Sequence, residues 1–139
     1  MKTSSTVWLK RLRLGCLFVL LTGLLPSFAV FQITQEPWRF FFDLLAWPLD
    51  QNPATFTDHE RQISAVLGGV LCGWAILLYR LAQPEVFNQK LRVLMIQSVW
   101  VWFAIDSLGS IFAGIPLNAV SNISFLLMLL VPLHQLKSA

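Results

Sequence analysis

In the most continuously apolar half of this chain, one carboxylate and several amides and hydroxyls stand where hydrocarbon side chains prevail. Asp106 and Ser110 fall in the run Asp106-Ser107-Leu108-Gly109-Ser110, and Asn118, Ser121 and Asn122 follow a few residues later. An acid in such surroundings can relay a proton, hold an ion or orient a small polar ligand. An ionisable group inside a membrane is by default a functional hypothesis. Amides and hydroxyls can equally fasten two helices, at about 0.6 kcal/mol per bond on average. The residue types alone leave both readings open.

Other chemistry is weaker. Cys16 and Cys72 form no CxxC pair, so they can build neither a thiol-redox centre nor a zinc knuckle, and they read as small apolar core residues. Asp58-His59-Glu60 holds metal-capable side chains, but consecutive residues on a helix point in different directions, and capping or surface charge accounts for them better. His134, near the end of the last apolar run, suits an interfacial or helix-dipole role. Gln97 and Ser98 are separated from Asp106 by apolar residues, so no continuous proton wire is evident. There is no nucleophile with a base and an orienting partner, and no phosphate-cradling glycine loop. An enzyme, with a lipid or quinone as substrate, is therefore the third-ranked expectation, and no cofactor or metal is implied. Basic residues gather on no folded polar face, which excludes a nucleic-acid partner.

The elements that must position the acid follow from composition. Hydrophobic residues make up 56% of the chain and charged ones 12%, against roughly 45–50% and about 25% in soluble domains. With a mean hydropathy of +0.66, the bilayer is the expected solvent, and 139 residues make a single domain. The expectation is an all-α, four-transmembrane-helix bundle with spans at about residues 14–34, 62–79, 93–113 and 118–136. Each approximates the roughly 20 residues that cross a hydrocarbon core.

Residues 1–13 read as a short basic tail. Together with the apolar run and Ser27-Phe28-Ala29, they also resemble a secretory signal peptide ending near residue 29. The run continues through Val30, Phe31 and Ile33, which favours a retained span kinked at Pro26. Residues 37–48, bracketed by Pro37 and Pro48, are too short and too charged to span. Two tryptophans and three phenylalanines predict a short amphipathic interfacial helix there, rings at headgroup level and charges turned to water. Leu49-Asp50-Gln51-Asn52-Pro53 reads as a turn, and Thr57 with Glu60 as a capping box opening span two. In that span Ser64 and Gly68, then Gly69 and Gly73, repeat at the four-residue spacing that lets membrane helices approach closely.

Charge placement sets orientation. With a cytoplasmic N-terminus, Lys2, Lys10, Arg11, Arg13, Arg80, Lys90, Arg92 and Lys137 lie inside and only Arg39 and Arg61 outside. The chain then reads as a multi-pass inner (plasma) membrane protein with both termini in the cytoplasm. Gly114-Ile115-Pro116-Leu117 is a tight connection, so spans three and four form an antiparallel hairpin. Counting outward from its centre pairs Ser110 with Ser121 and Gly109 with Asn122, and one turn of stagger brings Asp106 within reach of Asn122. Asp106 would then sit about 10 Å inside the core at 1.5 Å per residue, where a carboxylate costs about 2.5–3.5 kcal/mol. It should face protein or water. Either it is protonated and donates to Asn122, or it is ionised, with Arg39 or Arg61 reaching down as counter-ion.

Trp47-Pro48-Leu49-Asp50-Gln51-Asn52-Pro53, Gly68-Gly69 with Gly73-Trp74, and Asp106-Ser107-Leu108-Gly109-Ser110 with Gly114 and Asn118 carry a resemblance. Over about residues 37–133 the chain resembles an uncharacterised family of small bacterial four-helix inner-membrane proteins. That resemblance implies the architecture and a bacterial source, and no activity. In size and topology only, the chain is also similar to DoxX-like proteins. It departs from the small multidrug-resistance transporters, which carry an essential glutamate in their first helix, and from four-helix thiol oxidoreductases with their cysteine pairs. The functional expectation is a polar pocket open to the outside, lined by Asp106, Ser110, Asn118, Ser121 and Asn122 and roofed by residues 38–53. It would bind or pass a small molecule or proton. The alternative is a structural or accessory subunit docking a membrane partner or a second copy through the glycine face of span two, with Asp106 and Asn122 as interhelical glue.

Overall fold

The computed structural model describes residues 2–51 and 55–136. Among them the chain is all-helical, with no strand: α1 (Lys2–Phe28), a 3-10 turn (Gln32–Thr34), α2 (Glu36–Ala46), α3 (Asp58–Leu81), α4 (Gln89–Phe112) and α5 (Pro116–Gln135). The helices α1, α3, α4 and α5 are each long and apolar enough to cross a membrane. The turn expected at Leu49–Pro53 and the terminal Lys137 lie partly or wholly outside the described residues.

Two expectations at the first helix need correction. The stretch expected as a basic tail is helical from Lys2, and Leu9 and Leu12 are buried in the bundle. The helix also stops at Phe28, short of residue 34. Pro26 lies in the last turn and cannot bond back to the Thr22 carbonyl, and the helix closes with the Ala29 N–H on the Pro26 carbonyl at 3.2 Å. Beyond it the Phe28 carbonyl accepts the Phe31 N–H at 3.3 Å and the Thr34 hydroxyl at 2.6 Å. Val30, Phe31 and Ile33 are exposed.

The other ends follow their sequence signals. At α3 the Glu60 N–H donates to the Thr57 hydroxyl at 3.3 Å and the Glu60 carboxylate accepts the Thr57 N–H at 2.7 Å, a complete capping box. Asn88 caps α4 by accepting the Leu91 N–H at 3.1 Å. The α4–α5 turn needs Gly114 at φ +81°, where a side chain would be strained. Pro116 then opens α5, where its missing N–H costs nothing.

α1 packs between α3 and α5, and α4 packs on α5. α2 lies across α5 and α1 and is tied to α3 by the Trp38 indole N–H, which donates to Ser64 Oγ at 3.0 Å. α3 and α4 hardly approach each other's backbones. They meet through Trp74, whose N–H donates to Ser98 Oγ at 2.9 Å. The tightest α1–α3 approach is at Gly68, where a Cβ would lie 2.5 Å from the Ser27 nitrogen and 2.6 Å from the Gly23 carbonyl oxygen. Gly68 thus faces α1, and Ser64, one turn earlier, is buried against Trp38, whereas nothing within the chain lies within 4 Å of a Cβ built on Gly69 or Gly73. A step of one residue turns a helix by about 100°, so the two pairs occupy different faces.

Buried apolar side chains concentrate at the end of the bundle holding both termini. Leu12, Cys16, Leu78, Met95, Val99 and Leu133 meet there with their neighbours. Arg13 Nη2 donates to the Tyr79 hydroxyl at 2.5 Å and Arg92 Nη1 to the Leu133 carbonyl at 3.0 Å, closing that end. The opposite end is built differently.

Candidate functional site

At the opposite end α4 and α5 bring their polar residues together. Asp106 and Ser110, one turn apart on α4, face Asn118 on the first turns of α5. Asn118 Nδ2 donates to Asp106 Oδ1 at 2.9 Å and to Ser110 Oγ at 2.7 Å. The Ser110 hydroxyl lies 2.7 Å from the Asp106 backbone carbonyl, to which it donates, and 3.3 Å from Asp106 Oδ1. Deeper in the interface Asn122 Nδ2 donates to Ser107 Oγ at 3.2 Å, with both residues buried.

The expected Asp106–Asn122 pair is thus replaced by Asp106–Asn118, and Asn122 takes Ser107. The turn is the reason: Ile115 N–H bonds back to the Ser110 carbonyl at 2.8 Å, and α5 begins at Pro116. Asn118 is drawn level with Asp106, and every later residue of α5 slides past the position that symmetric counting gives. Ser121 is displaced as well. It is half-buried, makes no side-chain hydrogen bond among the described residues and does not line the cavity described next. The counter-ions expected for Asp106 are engaged elsewhere, Arg39 with Glu36 and Arg61 with Asp58, each three residues away on its own helix. No ion pair among the described residues reaches Asp106.

Asp106, Ser110, Asn118 and Asn122 line a cavity of about 430 Å³, within the roughly 300–1,000 Å³ of small-molecule sites. Its walls are mostly apolar and strongly aromatic: Trp38, Phe41 and Phe42 from α2, Trp74 from α3, Trp102 from α4 and Phe125 from α5. Trp74 and Trp102 have ring centroids 5.6 Å apart, and Trp102 meets Phe125 edge-on at 6.3 Å. α2 therefore does roof the site through Trp38–Leu45; Asn52 and Pro53, at the far end of the expected roof, lie outside the described residues. Asp43 holds this roof in shape. Expected to turn to water, it is buried instead, and its carboxylate accepts the Asp50 and Gln51 N–H groups at 3.3 and 3.1 Å.

The cavity has a side entrance. Ile105 and Gly109 on α4, Ala113 just past its end, and Leu67 on α3 line it and are also exposed, which places the mouth between the two helices whose backbones stand apart. Comparison with protein-family models, curated proteins and solved structures gives no match.

One detail decides what the arrangement can do. Asp106 Oδ1 accepts from Asn118, while the Ser110 hydroxyl gives its hydrogen to the Asp106 backbone carbonyl and Oδ2 has no partner among the described residues and is not sealed off. The site is a half-satisfied carboxylate at the rim of an aromatic chamber. No group of three His, Cys, Asp or Glu side chains among the described residues could hold a metal ion. The aromatic lining escaped the sequence reading because its members come from four helices. Gly23 and Ser27, the partners of Gly68, carried a visible signal, small residues four apart on span one.

Proposed function

We propose that the protein is a multi-pass integral protein of the bacterial inner membrane, of the small four-helix family its motifs resemble, with both termini cytoplasmic and α2 lying at the outer interface. Its pocket around Asp106 binds a small molecule or passes a proton. The observation that carries this reading is the carboxylate itself: one oxygen is held by Asn118 and the other is left open on a cavity of about 430 Å³. The Asn122–Ser107 bond, by contrast, joins two buried residues. Native mass spectrometry of the full chain released from lipid nanodiscs tests the reading. A discrete bound species on the native chain that is lost from Asp106→Asn, a substitution that keeps shape and hydrogen bonding, is the expected result. No bound species on either chain would sink it.

A second reading has its own observation. Gly69 and Gly73 lie open on the outer face of α3, flanked by exposed Val66, Val70, Ile76 and Leu77. Such a surface suits a docked membrane helix, from a partner protein or a second copy. Gly69→Leu should then abolish co-purification of that partner or dissociate the oligomer. A native chain that is monomeric and alone in mild detergent removes this reading.

A further inference from the structure

Granting that the cavity is a ligand site, the groups on its surface restrict what it can hold. Both N–H groups of the Asn118 amide are used within the protein, on Asp106 Oδ1 and Ser110 Oγ. The Ser110 hydroxyl is bound to the Asp106 carbonyl. The amide assignment is not arbitrary, since a carboxylate at 2.9 Å demands a donor. Beside the carboxylate what remains for an occupant is oxygen, Asp106 Oδ2 and the Asn118 carbonyl, neither with a partner among the described residues, while deeper in the lining Asn122 keeps one amide hydrogen unused. The site is acceptor-rich and carries negative charge when Asp106 is ionised. No Lys, Arg or His among the described residues lines the chamber to offset it.

The walls point the same way. The indole N–H groups of Trp38 and Trp74 are tied to Ser64 and Ser98, so these rings have no donor left to offer. With Trp102, Phe41, Phe42 and Phe125 they surround the space beside the carboxylate. Aromatic faces, tryptophan most of all, attract cations within about 6 Å. An anionic head such as a carboxylate or phosphate would meet a like charge at Asp106, with the Trp102 indole and one Asn122 N–H as the lining donors left without a partner among the described residues. A hydrocarbon without a head would leave the Asp106 oxygen desolvated and unpaired, which is costly. A protonated amine on an apolar body suits both the free oxygens beside Asp106 and the aromatic walls.

We propose that the cavity binds a lipophilic organic ammonium, admitted sideways through the gap between α3 and α4, its nitrogen at Asp106 and its body among Trp74, Trp102 and Phe125. The side entrance, with Ile105 70% exposed at its rim, opens along the apolar flank of the bundle, where an amphiphile dissolved in lipid would be found.

The test uses three probes with one body and three heads: 1-naphthylmethylamine, 1-naphthylmethanol and 1-naphthoate. Each is titrated against the full chain in phosphatidylcholine nanodiscs, with empty discs subtracted. Saturable 1:1 binding of the amine, at least tenfold tighter than the alcohol, with no saturable binding of the naphthoate, is expected. Asp106→Asn should weaken the amine tenfold or more, to the level of the alcohol, while leaving the alcohol unchanged. Gly109→Leu, which fills the entrance without meeting any atom within 4 Å at its Cβ, should weaken amine and alcohol together. Amine binding that is indifferent to Asp106→Asn, or alcohol that matches the amine on the native chain, overturns the ammonium assignment while leaving the cavity as a site. Failure of all three probes to saturate overturns the cavity reading with it. Repeating the amine titration in phosphatidylethanolamine discs identifies the source: tenfold weaker apparent binding points to a lipid amine headgroup as natural occupant, unchanged binding to a free amine.

Discussion

The two ends of this bundle are made from the same four long helices and are built on opposite principles. At the end holding the termini, Leu9, Leu12, Cys16, Leu78, Met95, Val99 and Leu133 interlock, and Arg13 and Arg92 tie helix to helix. At the other end the same helices part around about 430 Å³ of space, and α2 is laid across as a roof. Proteins seldom leave such a void in an interior packed like a crystal. The closed end supplies the stability that lets the open end stay open.

The largest effect should come from Gly68, where α1 and α3 come closely together. Gly68→Leu would drive a side chain into the Ser27 backbone and the Gly23 carbonyl, neither of which can yield. Overpacking typically costs about 1–3 kcal/mol and more against backbone, so we expect loss of the α1–α3 contact, read as failure to give a monodisperse, helical protein in detergent. Gly109→Leu, at the cavity mouth, should change stability by less than about 0.5 kcal/mol. Equal damage from both would erase the contrast between contact and cavity.

Next comes the interior of each end. Leu133→Ala in the closed end removes a fully buried side chain and leaves a hole, at a cost of about 3 kcal/mol. Leu71→Ala, on the cavity wall, only enlarges space that already exists and should cost under about 1 kcal/mol. Denaturant unfolding in micelles, followed by tryptophan fluorescence, measures both. A Leu71→Ala penalty as large as that of Leu133→Ala would mean that the cavity closes in solution.

Much of this contrast was legible in the residues, and the part that was not has a physical reason. Length and apolarity announce the spans, Thr57 and Glu60 announce the start of α3, and Gly114 announces the last turn, because each signal is local. The partner of Asp106 was not legible. A hairpin register depends on the path of four turn residues, and symmetric counting with one turn of stagger gave Asn122 where Ile115 and Pro116 set Asn118. Arg39 and Arg61 looked available to the acid, yet each has a carboxylate three residues away, and a local ion pair forms with less loss of chain freedom than a distant one. The cavity itself leaves no mark in one dimension, since its walls come from residues 19 to 129.

The roof offers a smaller and more local break. Asp43→Ala removes the acceptor of the Asp50 and Gln51 N–H groups, at about 1–2 kcal/mol. Because α2 contributes nothing to the closed end, global unfolding should be unmoved while hydrogen exchange rises at residues 49–51 and in the last turn of α2. A shift of the whole unfolding transition would show instead that the roof and the closed core form one cooperative unit.

The smallest effects separate the two asparagines, which look equivalent in sequence. Asn122 bonds Ser107 inside the α4–α5 contact, where both are buried, though Asn122 also borders the cavity. Asn122→Ala therefore leaves a buried hydroxyl without its donor and should cost about 1 kcal/mol. Asn118 bonds Asp106 on the cavity wall, where an occupant or water reaching Oδ2 can take up the lost bond. Asn118→Ala should accordingly cost about 0.6 kcal/mol or less, the average for an interhelical bond in a membrane bundle. It should weaken binding of an ammonium probe even so, because the amide holds Oδ1 and leaves Oδ2 directed at the cavity. Stability losses in the reverse order would mean that the Asp106 contact is the sealed one, and the open end would then be a fastening like any other.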